Sequence, residues 1–323
     1  MTIKKISVLL NFNQSAKRTV MKLKHVIKAQ QFSREWLERE FFPQVERMGR
    51  LAETNVCHDL TGKKMISLFY QPSTRTRMSF EIAMKQLGGD VVFSTENARQ
   101  FSSVAKGESL KDTIRVINRY RPDVIVLRYD QEGGAETAAE VSAVPIINAG
   151  DGPGQHPTQA LLDVYTIFKK LGRLDDISIA MIGDLKRGRT VRSLVYLLSK
   201  FSNVRFYFVA ANEQNRMRPD ILDHLREKGN DFTETEKLQE VAAKVDVIYQ
   251  TRAQTEHGSA DDFLIIDRQL TSLMKPTTII MHPLPRREEL AEEVDDDPRA
   301  VYLTEQIENG LYVRMALLKA ILV

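Results

Sequence analysis

The stretch 69–77 reads Phe69-Tyr70-Gln71-Pro72-Ser73-Thr74-Arg75-Thr76-Arg77. The apolar run at 65–70 that leads into it is typical of a buried strand. The residues after it repeat with the period of a helix and stop at two glycines: Phe80, Ala83, Met84, Leu87, then Gly88-Gly89. The stretch therefore predicts a strand that turns directly into a helix, with Ser73 to Thr76 opening the helix.

This helix start is suited to binding phosphate. The first N–H groups of a helix lack intrahelical partners and the positive end of its dipole lies there, so anions bind readily. Ser73, Thr74 and Thr76 add hydroxyl groups, and Arg75 and Arg77 add guanidiniums that match a tetrahedral oxyanion. The alternative is a Ser/Thr cap followed by surface arginines. Because a cap needs only one hydroxyl, we favour the phosphate site.

Length and composition indicate a globular protein of about two domains. The chain has 323 residues, of which 42% are hydrophobic and 28% charged. No apolar stretch approaches the length of a membrane span. Cys57 is the only cysteine, which excludes an internal disulfide and a thiolate-rich metal site and favours an intracellular, cytoplasmic location.

Basic side chains are concentrated at the start of the chain. Residues 1–30 carry seven Lys/Arg and no acid, whereas the remainder holds 39 Lys/Arg against 43 Asp/Glu. Such a start can be an organellar targeting segment, a nucleic-acid arm or an extension. We treat residues 1–20 as an extension, because Met21 could itself begin the protein, and keep organellar import as the alternative. Nothing later resembles a basic surface with interleaved aromatics, so neither nucleic acid nor a membrane is a predicted partner.

Strand-like runs alternate with helical patterns along the rest of the chain. Strands are predicted at 65–70, 124–127, 145–149, 179–182, 204–209, 245–249 and 278–281. Helices are predicted at 75–87, 109–119, 157–171, 189–200, 219–228 and 236–243. This alternation predicts an α/β fold of two doubly wound domains, each a parallel sheet flanked by helices.

The Gly/Pro-rich segment 148–154 is the best place to divide the chain into two halves. We expect a first domain at 21–155 and a second at 156–309. A C-terminal helix at 310–323 is expected to pack back on the first domain.

Residues suited to chemistry follow the predicted strands of the first half. Arg128 comes directly after the strand at 124–127, with a buried structural arginine as the alternative. His156-Pro157-Thr158-Gln159 follows the Gly/Pro-rich segment, and Pro157 suits the first position of a helix. Ligands bind beyond the carboxyl ends of such strands, where a neutral His156 and the Gln159 amide could hydrogen-bond a carbonyl group. A lone His is more often structural, but its place beside the predicted cleft favours a functional role.

The second half carries three further segments of this kind. Residues 183–190 follow a predicted strand and include Arg189, and residues 251–254 follow another and include Arg252 and Gln254. Two guanidiniums and an amide at adjacent strand ends suit a small dicarboxylate. His282-Pro283-Leu284-Pro285-Arg286 follows the last predicted strand. Its two prolines stiffen a turn and leave carbonyls free to accept from an amine.

Four segments, in this order, resemble the aspartate carbamoyltransferase family: Ser73-Thr74-Arg75-Thr76-Arg77, His156-Pro157-Thr158-Gln159, Thr251-Arg252-Ala253-Gln254 and His282-Pro283-Leu284-Pro285-Arg286. The resemblance to the catalytic chain of that family runs from about residue 23 to the last residue. Ornithine-type relatives typically carry Cys where this sequence has Pro283. Aspartate is therefore the favoured acceptor, with ornithine or acetylornithine as the alternative.

The resemblance implies carbamoyl phosphate and L-aspartate as substrates, no metal or other cofactor, and a place at the committed step of pyrimidine (UMP) biosynthesis. Carbamoyl phosphate would be bound by Ser73, Thr74, Arg75, Thr76, Arg128, His156, Gln159 and the Leu284 carbonyl. Aspartate would be bound by Lys106, Arg189, Arg252, Gln254 and the turn at Pro285. The residues expected to be catalytic are Arg75, Thr76, Lys106 and His156.

The resemblance also implies an oligomer. Family members form a homotrimer with shared active sites, which a Ser and a Lys enter from the neighbouring subunit. These match Ser102 and Lys106, in a long polar loop at 94–109. A solvated charged loop is the alternative for Lys106. Regulatory chains that join trimers into a larger assembly are the other partner the resemblance allows.

The sequence departs from the family pattern at two positions. Gln71 stands where relatives usually carry Glu or Lys, and His257 stands where some carry Arg. In relatives, that Glu pairs with arginines across the two domains, one of which matches Arg189. Both changes remove charge from this bridge, so we expect activity with altered aspartate affinity or cooperativity.

Overall fold

The fold is built on two parallel sheets. The computed structural model describes residues 23–54, 57–252 and 264–323. The first sheet has the order β2-β1-β3-β4 and the second the order β7-β6-β5-β8-β9. Their strands are β1 (Lys64–Phe69), β2 (Asp90–Thr95), β3 (Val124–Tyr129), β4 (Ile146–Asp151), β5 (Ser178–Ile182), β6 (Arg205–Val209), β7 (Phe232–Thr235), β8 (Val247–Gln250) and β9 (Ile279–Met281). The first sheet and the helices that cover it form the first lobe, and the second sheet and its helices form the second lobe.

Helices connect and cover these strands. They are α1 (Arg34–Trp36), α2 (Phe42–Thr54), α3 (Thr74–Gln86), α4 (Ala98–Phe101), α5 (Leu110–Arg119), α6 (Gly134–Val141), α7 (Pro157–Leu171), α8 (Arg189–Leu198), α9 (Pro219–Lys228), α10 (Leu238–Ala242), α11 (Arg268–Leu273) and α12 (Glu305–Leu322). A π-helical turn at Leu37–Phe41 joins α1 to α2. The predicted α/β fold of two helix-flanked parallel sheets is confirmed. No helix in the described ranges is both long and apolar enough to cross a membrane.

The last helix returns to the first lobe, as predicted. Helix α12 packs against α2, α3 and α7, and begins at Glu305 rather than at residue 310. Its buried residues Val313, Leu317 and Ile321 share one apolar core with Phe80. The predicted division at 155/156 stays a prediction, because α7, which begins there, contacts both α12 and α8.

Two strands and several helices were not predicted. Strand β2 lies at the edge of its sheet and is largely exposed, and β7 lies at the edge of the other. Edge strands need no continuous apolar run, so the pattern that revealed the buried strands is absent. The loop predicted at 94–109 contains α4 and a 3₁₀ turn at Ser103–Lys106. Helices α1, α2, α6 and α11 were also missed.

Two predicted strands are longer than their apolar runs. Strand β3 continues to Tyr129, so Arg128 lies within the strand, where it is paired with Phe69, instead of following it. Strand β4 continues to Asp151, so the first half of the Gly/Pro-rich segment belongs to the sheet. Backbone pairing between β3 and β4 extends both strands past the point at which their side chains stop being apolar.

Candidate active site

A cleft of about 520 Å³ lies between the two lobes, at the carboxyl ends of the strands. Ligand sites in open parallel sheets form where the strand order reverses. The first sheet reverses between β1 and β3, and the second between β5 and β8. The cleft is lined by residues that follow β1, β4, β5, β8 and β9, by Arg128 of β3 and by residues of α12. This volume suits a small-molecule ligand.

The predicted phosphate site forms one wall of the cleft. Ser73 is the N-cap of α3, and its hydroxyl makes no capping hydrogen bond to the helix. Ser73, Thr74, Arg75 and Thr76 all line the cleft. The Thr74 hydroxyl donates to Glu96 Oε1 at 3.0 Å, so it would exchange this bond for one to a ligand. Burial lowers the pKa of Arg75, which means that its positive charge is poorly solvated.

Arg128 and Arg189 meet across Gly150. A Cβ atom built on Gly150 would lie 3.0 Å from Arg128 Nη1 and 3.0 Å from Arg189 Cζ, and the residue has a φ of 110°. Arg128 Nη1 donates to the Ala149 carbonyl at 3.1 Å, and Arg189 Nη1 donates to the Gly152 carbonyl at 2.8 Å. Burial lowers the pKa of Arg128, and the nearby charges of Arg189 and Arg75 lower it further. Asp151 offsets part of the charge of Arg189, but neither guanidinium forms an ion pair within the described residues, so an anion would stabilise the cluster.

His156 and Gln159 lie at the start of α7, as predicted. His156 is the N-cap, with Pro157 in the first turn, and its backbone N–H donates to Ser193 Oγ at 2.9 Å. His156 is buried, with 4% of its surface exposed. Burial, together with the charges of Arg189, Arg128 and Arg314, holds the pKa of His156 well below its usual value. The ring is therefore neutral at physiological pH and can hydrogen-bond a carbonyl oxygen without adding charge.

The buried imidazole makes stability depend on pH. Because the pKa of His156 is lower in the folded than in the unfolded protein, its contribution to stability is complete above about pH 6.5 and is lost as the pH falls toward the folded value. Below that pH, this group should lower the free energy of unfolding of the wild type, measured in urea, by up to about 1.4 kcal/mol per pH unit. In His156→Gln, the free energy of unfolding should fall less steeply as the pH is lowered. His58→Gln, at an exposed position, is the matched control; parallel curves for all three proteins would contradict the prediction.

The second lobe supplies the opposite wall. Arg189, Arg252, Leu284 and Pro285 line the cleft. The Leu284 N–H donates to Nδ1 of His282 at 2.8 Å, and Leu284 has a left-handed backbone with φ 56°. A non-glycine residue in this region costs roughly 1–2 kcal/mol and is retained where the surroundings hold it. The turn is thus fixed against the cleft.

Some predicted residues are not brought into the cleft. Ser102 and Lys106 are not among its lining residues. Lys106 is exposed, and the Ser102 hydroxyl donates to the Ala98 carbonyl. Gln254 and His257 lie outside the described residues. Gln71, half-buried after β1, is also absent from the cleft lining.

Sequence reasoning missed the floor of the cleft. Gln306 and Arg314 of α12 line it, and both are buried, at 2% and 4% exposure. Asp163 of α7 lies beneath them and accepts a hydrogen bond from Gln306. Little local signal was available, because Gln306 lies before the C-terminal helix predicted at 310–323 and Arg314 is one of two basic residues within it.

Sequence and structure comparisons extend these observations to known proteins. A profile described as "Aspartate/ornithine carbamoyltransferase, carbamoyl-P binding domain" matches residues 24–169. A second, "Aspartate/ornithine carbamoyltransferase, Asp/Orn binding domain", matches residues 175–321. The chloroplastic aspartate carbamoyltransferase of Arabidopsis thaliana is 51% identical over 310 residues, which cover 93% of this chain and 78% of that protein.

Relatives from two other organisms give the same result. The aspartate carbamoyltransferase catalytic subunit of Methanocaldococcus jannaschii is 47% identical over 308 residues, covering 93% of this chain and 98% of that subunit. The crystal structure of aspartate transcarbamoylase from Trypanosoma cruzi in complex with carbamoyl aspartate and phosphate has a TM-score of 0.85 and 42% identity, covering 93% of this chain and 96% of that one. Both domains and the whole fold match, so the chain belongs to the aspartate/ornithine carbamoyltransferase family.

Proposed function

We propose that the chain transfers the carbamoyl group of carbamoyl phosphate to the amine of L-aspartate, giving N-carbamoyl-L-aspartate and phosphate in pyrimidine biosynthesis. One observation carries the proposal: Arg75, Arg128, Arg189 and Arg252 line a single cleft together with a buried, neutral His156. Crystal structures of the Trypanosoma cruzi relative in complex with carbamoyl phosphate and aspartate support the same pair of substrates.

The phosphate of the donor lies against the start of α3. Ser73, Thr74 and Thr76 offer hydroxyls, and the first helical N–H groups point to the same place. Arg128 adds a guanidinium whose own burial makes an anionic partner favourable. A phosphate dianion bound here would neutralise the charges of Arg75 and Arg128, which form no ion pair in the part of the chain that the structure describes.

The carbamoyl group lies between His156 and the turn at Leu284. Arg75, Thr76 and His156 stabilise the negative charge that develops on the carbamoyl oxygen. The carbamoyl NH₂ group donates to the Gln159 side chain and to the Leu284 carbonyl. All of these residues border the cleft.

Aspartate binds on the second-lobe side. Arg189 and Arg252 hold its two carboxylates, assisted by Gln254, and the turn at Pro285 directs its amine toward the carbamoyl carbon. Lys106 reaches the same aspartate from a neighbouring subunit. One guanidinium for each carboxylate gives both charge and direction.

The reaction needs no covalent enzyme intermediate. The lone pair of the uncharged aspartate amine attacks the carbamoyl carbon, and a tetrahedral oxyanion forms. The bond from that carbon to the phosphate oxygen then breaks, and the departing phosphate takes the proton that the amine loses. Holding two small anions in one orientation and stabilising the oxyanion with preorganised donors each supply several kcal/mol.

An acceptor panel tests the proposed function. The purified chain should form carbamoylaspartate only when carbamoyl phosphate and aspartate are both present. Ornithine and acetylornithine should give no product above background. Carbamoyl transfer to ornithine but not to aspartate would overturn the proposed acceptor, and no transfer to any acceptor would overturn the activity.

A homotrimer with shared sites completes the proposal. Exposed apolar side chains lie on the outer side of the first lobe, on α3, the edge strand β2 and α4: Met78, Ile82, Val92, Phe93 and Phe101. Phe101, 74% exposed, directly precedes Ser102, and Lys106 follows in the same segment. An apolar patch next to an unpaired strand edge is typical of a protein interface. Burying it against a second copy would bring Ser102 and Lys106 to that copy's cleft.

Hybrid trimers test the sharing of sites. Arg75→Ala and Lys106→Ala should each be nearly inactive as homotrimers. Mixed one to one under conditions that exchange subunits, they should regain up to about a quarter of wild-type activity, because some sites then combine an intact Arg75 with a neighbour's intact Lys106. A mixture as inactive as its parents, although exchange is shown by mass, would contradict a shared site.

Compartment and larger assembly are further parts of the proposal. We infer a cytoplasmic protein, with organellar import as the alternative; the relatives from Arabidopsis thaliana and Pisum sativum are named chloroplastic. The Methanocaldococcus jannaschii relative is named a catalytic subunit, which supports regulatory chains as a partner class.

A further inference from the structure

A single buried carboxylate connects the two sides of the cleft. Asp163 has no exposed surface and lies one helical turn after Gln159 on α7. Its Oδ1 accepts from Gln159 Nε2 at 3.0 Å and from Gln306 Nε2 at 2.7 Å. Its Oδ2 accepts from the Tyr249 hydroxyl at 2.7 Å. Complete burial of a carboxyl group is costly unless it is fully hydrogen-bonded, and here three elements supply the donors.

The carboxyl group fixes the orientation of both amides. Burial raises the pKa of Asp163 to about 7, although its hydrogen bonds oppose this rise. A proton, when present, can be held on Oδ2 because the Tyr249 hydroxyl can accept. Oδ1 therefore accepts from both amides in either state, and each glutamine must turn its nitrogen toward Asp163. The oxygen of Gln159 is then the atom left for the cleft.

The second amide, that of Gln306, connects Asp163 to the turn at Leu284 in the second lobe. Gln306 Oε1 accepts from the His282 backbone N–H at 3.1 Å. His282 Nδ1 accepts from the Leu284 N–H at 2.8 Å, and its Nε2 lies 3.0 Å from a Glu289 carboxylate oxygen. One continuous series of hydrogen bonds thus runs from Gln159 through Asp163, Gln306 and His282 to Leu284.

We propose that Asp163 is a positioning residue that makes the cleft selective for a donor bearing an NH₂ group; this rests on the proposed function. It sets the Gln159 oxygen, and through Gln306 and His282 the Leu284 carbonyl, as two acceptors for the carbamoyl nitrogen. An acyl phosphate with a methyl group at that place would leave both acceptors unpaired. Sites built to hydrogen-bond a substrate N–H reject analogues that lack it.

Asp163→Leu removes the acceptor while keeping a similar volume. We expect kcat/KM for carbamoyl phosphate to fall by roughly 10–100-fold, as for other groups that orient a binding residue. The inhibition constant of acetyl phosphate, which carries a methyl group in place of NH₂, should change by less than about 3-fold, because it does not use these acceptors. An equal loss in kcat/KM for carbamoyl phosphate and in the affinity for acetyl phosphate would show a general distortion of the cleft and overturn the proposal.

Asp163→Asn separates orientation from charge. Asparagine can keep an oxygen toward both amides and turn its NH₂ group to the Tyr249 hydroxyl, so kcat/KM should remain within about 5-fold of the wild type. A role as the counter-charge of the buried Arg314 predicts instead that Asn and Leu are equally damaging. Tyr249→Phe removes the donor to Oδ2 and the hydroxyl's bond to Thr190; because Oδ1 still accepts from both amides, it should lower kcat/KM for carbamoyl phosphate less than Asp163→Leu does.

A second variant tests the proposal if Asp163→Leu does not fold. Gln306→Met keeps Asp163 and its bond to Gln159 but breaks the connection to His282. It should lower kcat/KM for carbamoyl phosphate without changing the inhibition constant of acetyl phosphate, and an unchanged kcat/KM would overturn the proposal. Carbamoylaspartate formation by the wild type is measured first. Its absence would overturn the proposed function and this inference with it, whereas an active wild type with unaffected variants would overturn the inference alone.

Discussion

Arg75→Ala is expected to lower kcat by roughly 10³-fold or more, the largest loss of any single substitution in the cleft. Arg75 lies in the first turn of α3 and lines the cleft beside the predicted phosphate site. Its guanidinium can contact both the phosphate and the carbamoyl oxygen, so removal would lose stabilisation that grows as the oxyanion forms. Arg75 also binds the donor, but its contact with the carbamoyl oxygen strengthens as the oxyanion forms, so kcat should fall more than the KM for either substrate rises.

Arg115→Ala is the matched control for this loss. Arg115 is an exposed arginine of the same lobe, on α5, and pairs with Asp112. The variant should retain wild-type kcat, because exposed ion pairs contribute little. Steady-state kinetics at saturating aspartate measure both proteins. A variant of Arg75 that keeps more than about a tenth of wild-type kcat would remove this residue from the proposed mechanism.

Arg189→Ala is expected to raise the KM for aspartate by on the order of 10²-fold. Burial lowers the pKa of Arg189 to about 10, and its Nη1 is anchored to the Gly152 carbonyl at 2.8 Å. The guanidinium is therefore already desolvated and oriented before the ligand arrives. A carboxylate bound to it gains a charge-assisted hydrogen bond at little further entropic cost.

The kinetic pattern distinguishes the acceptor site from the donor site. If Arg189 holds aspartate, the KM for carbamoyl phosphate should change much less than the KM for aspartate. Arg226→Ala, an exposed second-lobe arginine paired with Asp223, should leave both values unchanged. A rise confined to the KM for carbamoyl phosphate would assign Arg189 to the phosphate instead.

The residues around the cleft could be predicted because they are local in sequence. Ser73 to Thr76 directly follow a buried strand, and a helix start needs no distant contact to attract an anion. Pro157, directly after His156, likewise indicates a helix start. Each buried strand was visible as an apolar run, since both faces of a parallel sheet are covered.

The rest of the site depends on contacts between distant segments. Asp163 and Gln306 are separated by 143 positions, and no local pattern shows that their side chains meet. The edge strands β2 and β7 were missed because most of β2 is exposed and no residue of β7 is fully buried, so neither needs the continuous apolar run of a buried strand. Arg128 was placed just beyond its strand because pairing between backbones, which carries no side-chain signature, extends β3 to Tyr129.

The place of α12 in the first lobe has a consequence during translation. Strands β1 to β4 leave the ribosome well before residues 305–322 are synthesised, yet α12 covers α2 and α3 and completes their core. Until then, the apolar faces of these helices are bare in the nascent chain. Such surfaces attract chaperones and favour misassembly, so the first lobe matures only after the second lobe has been made.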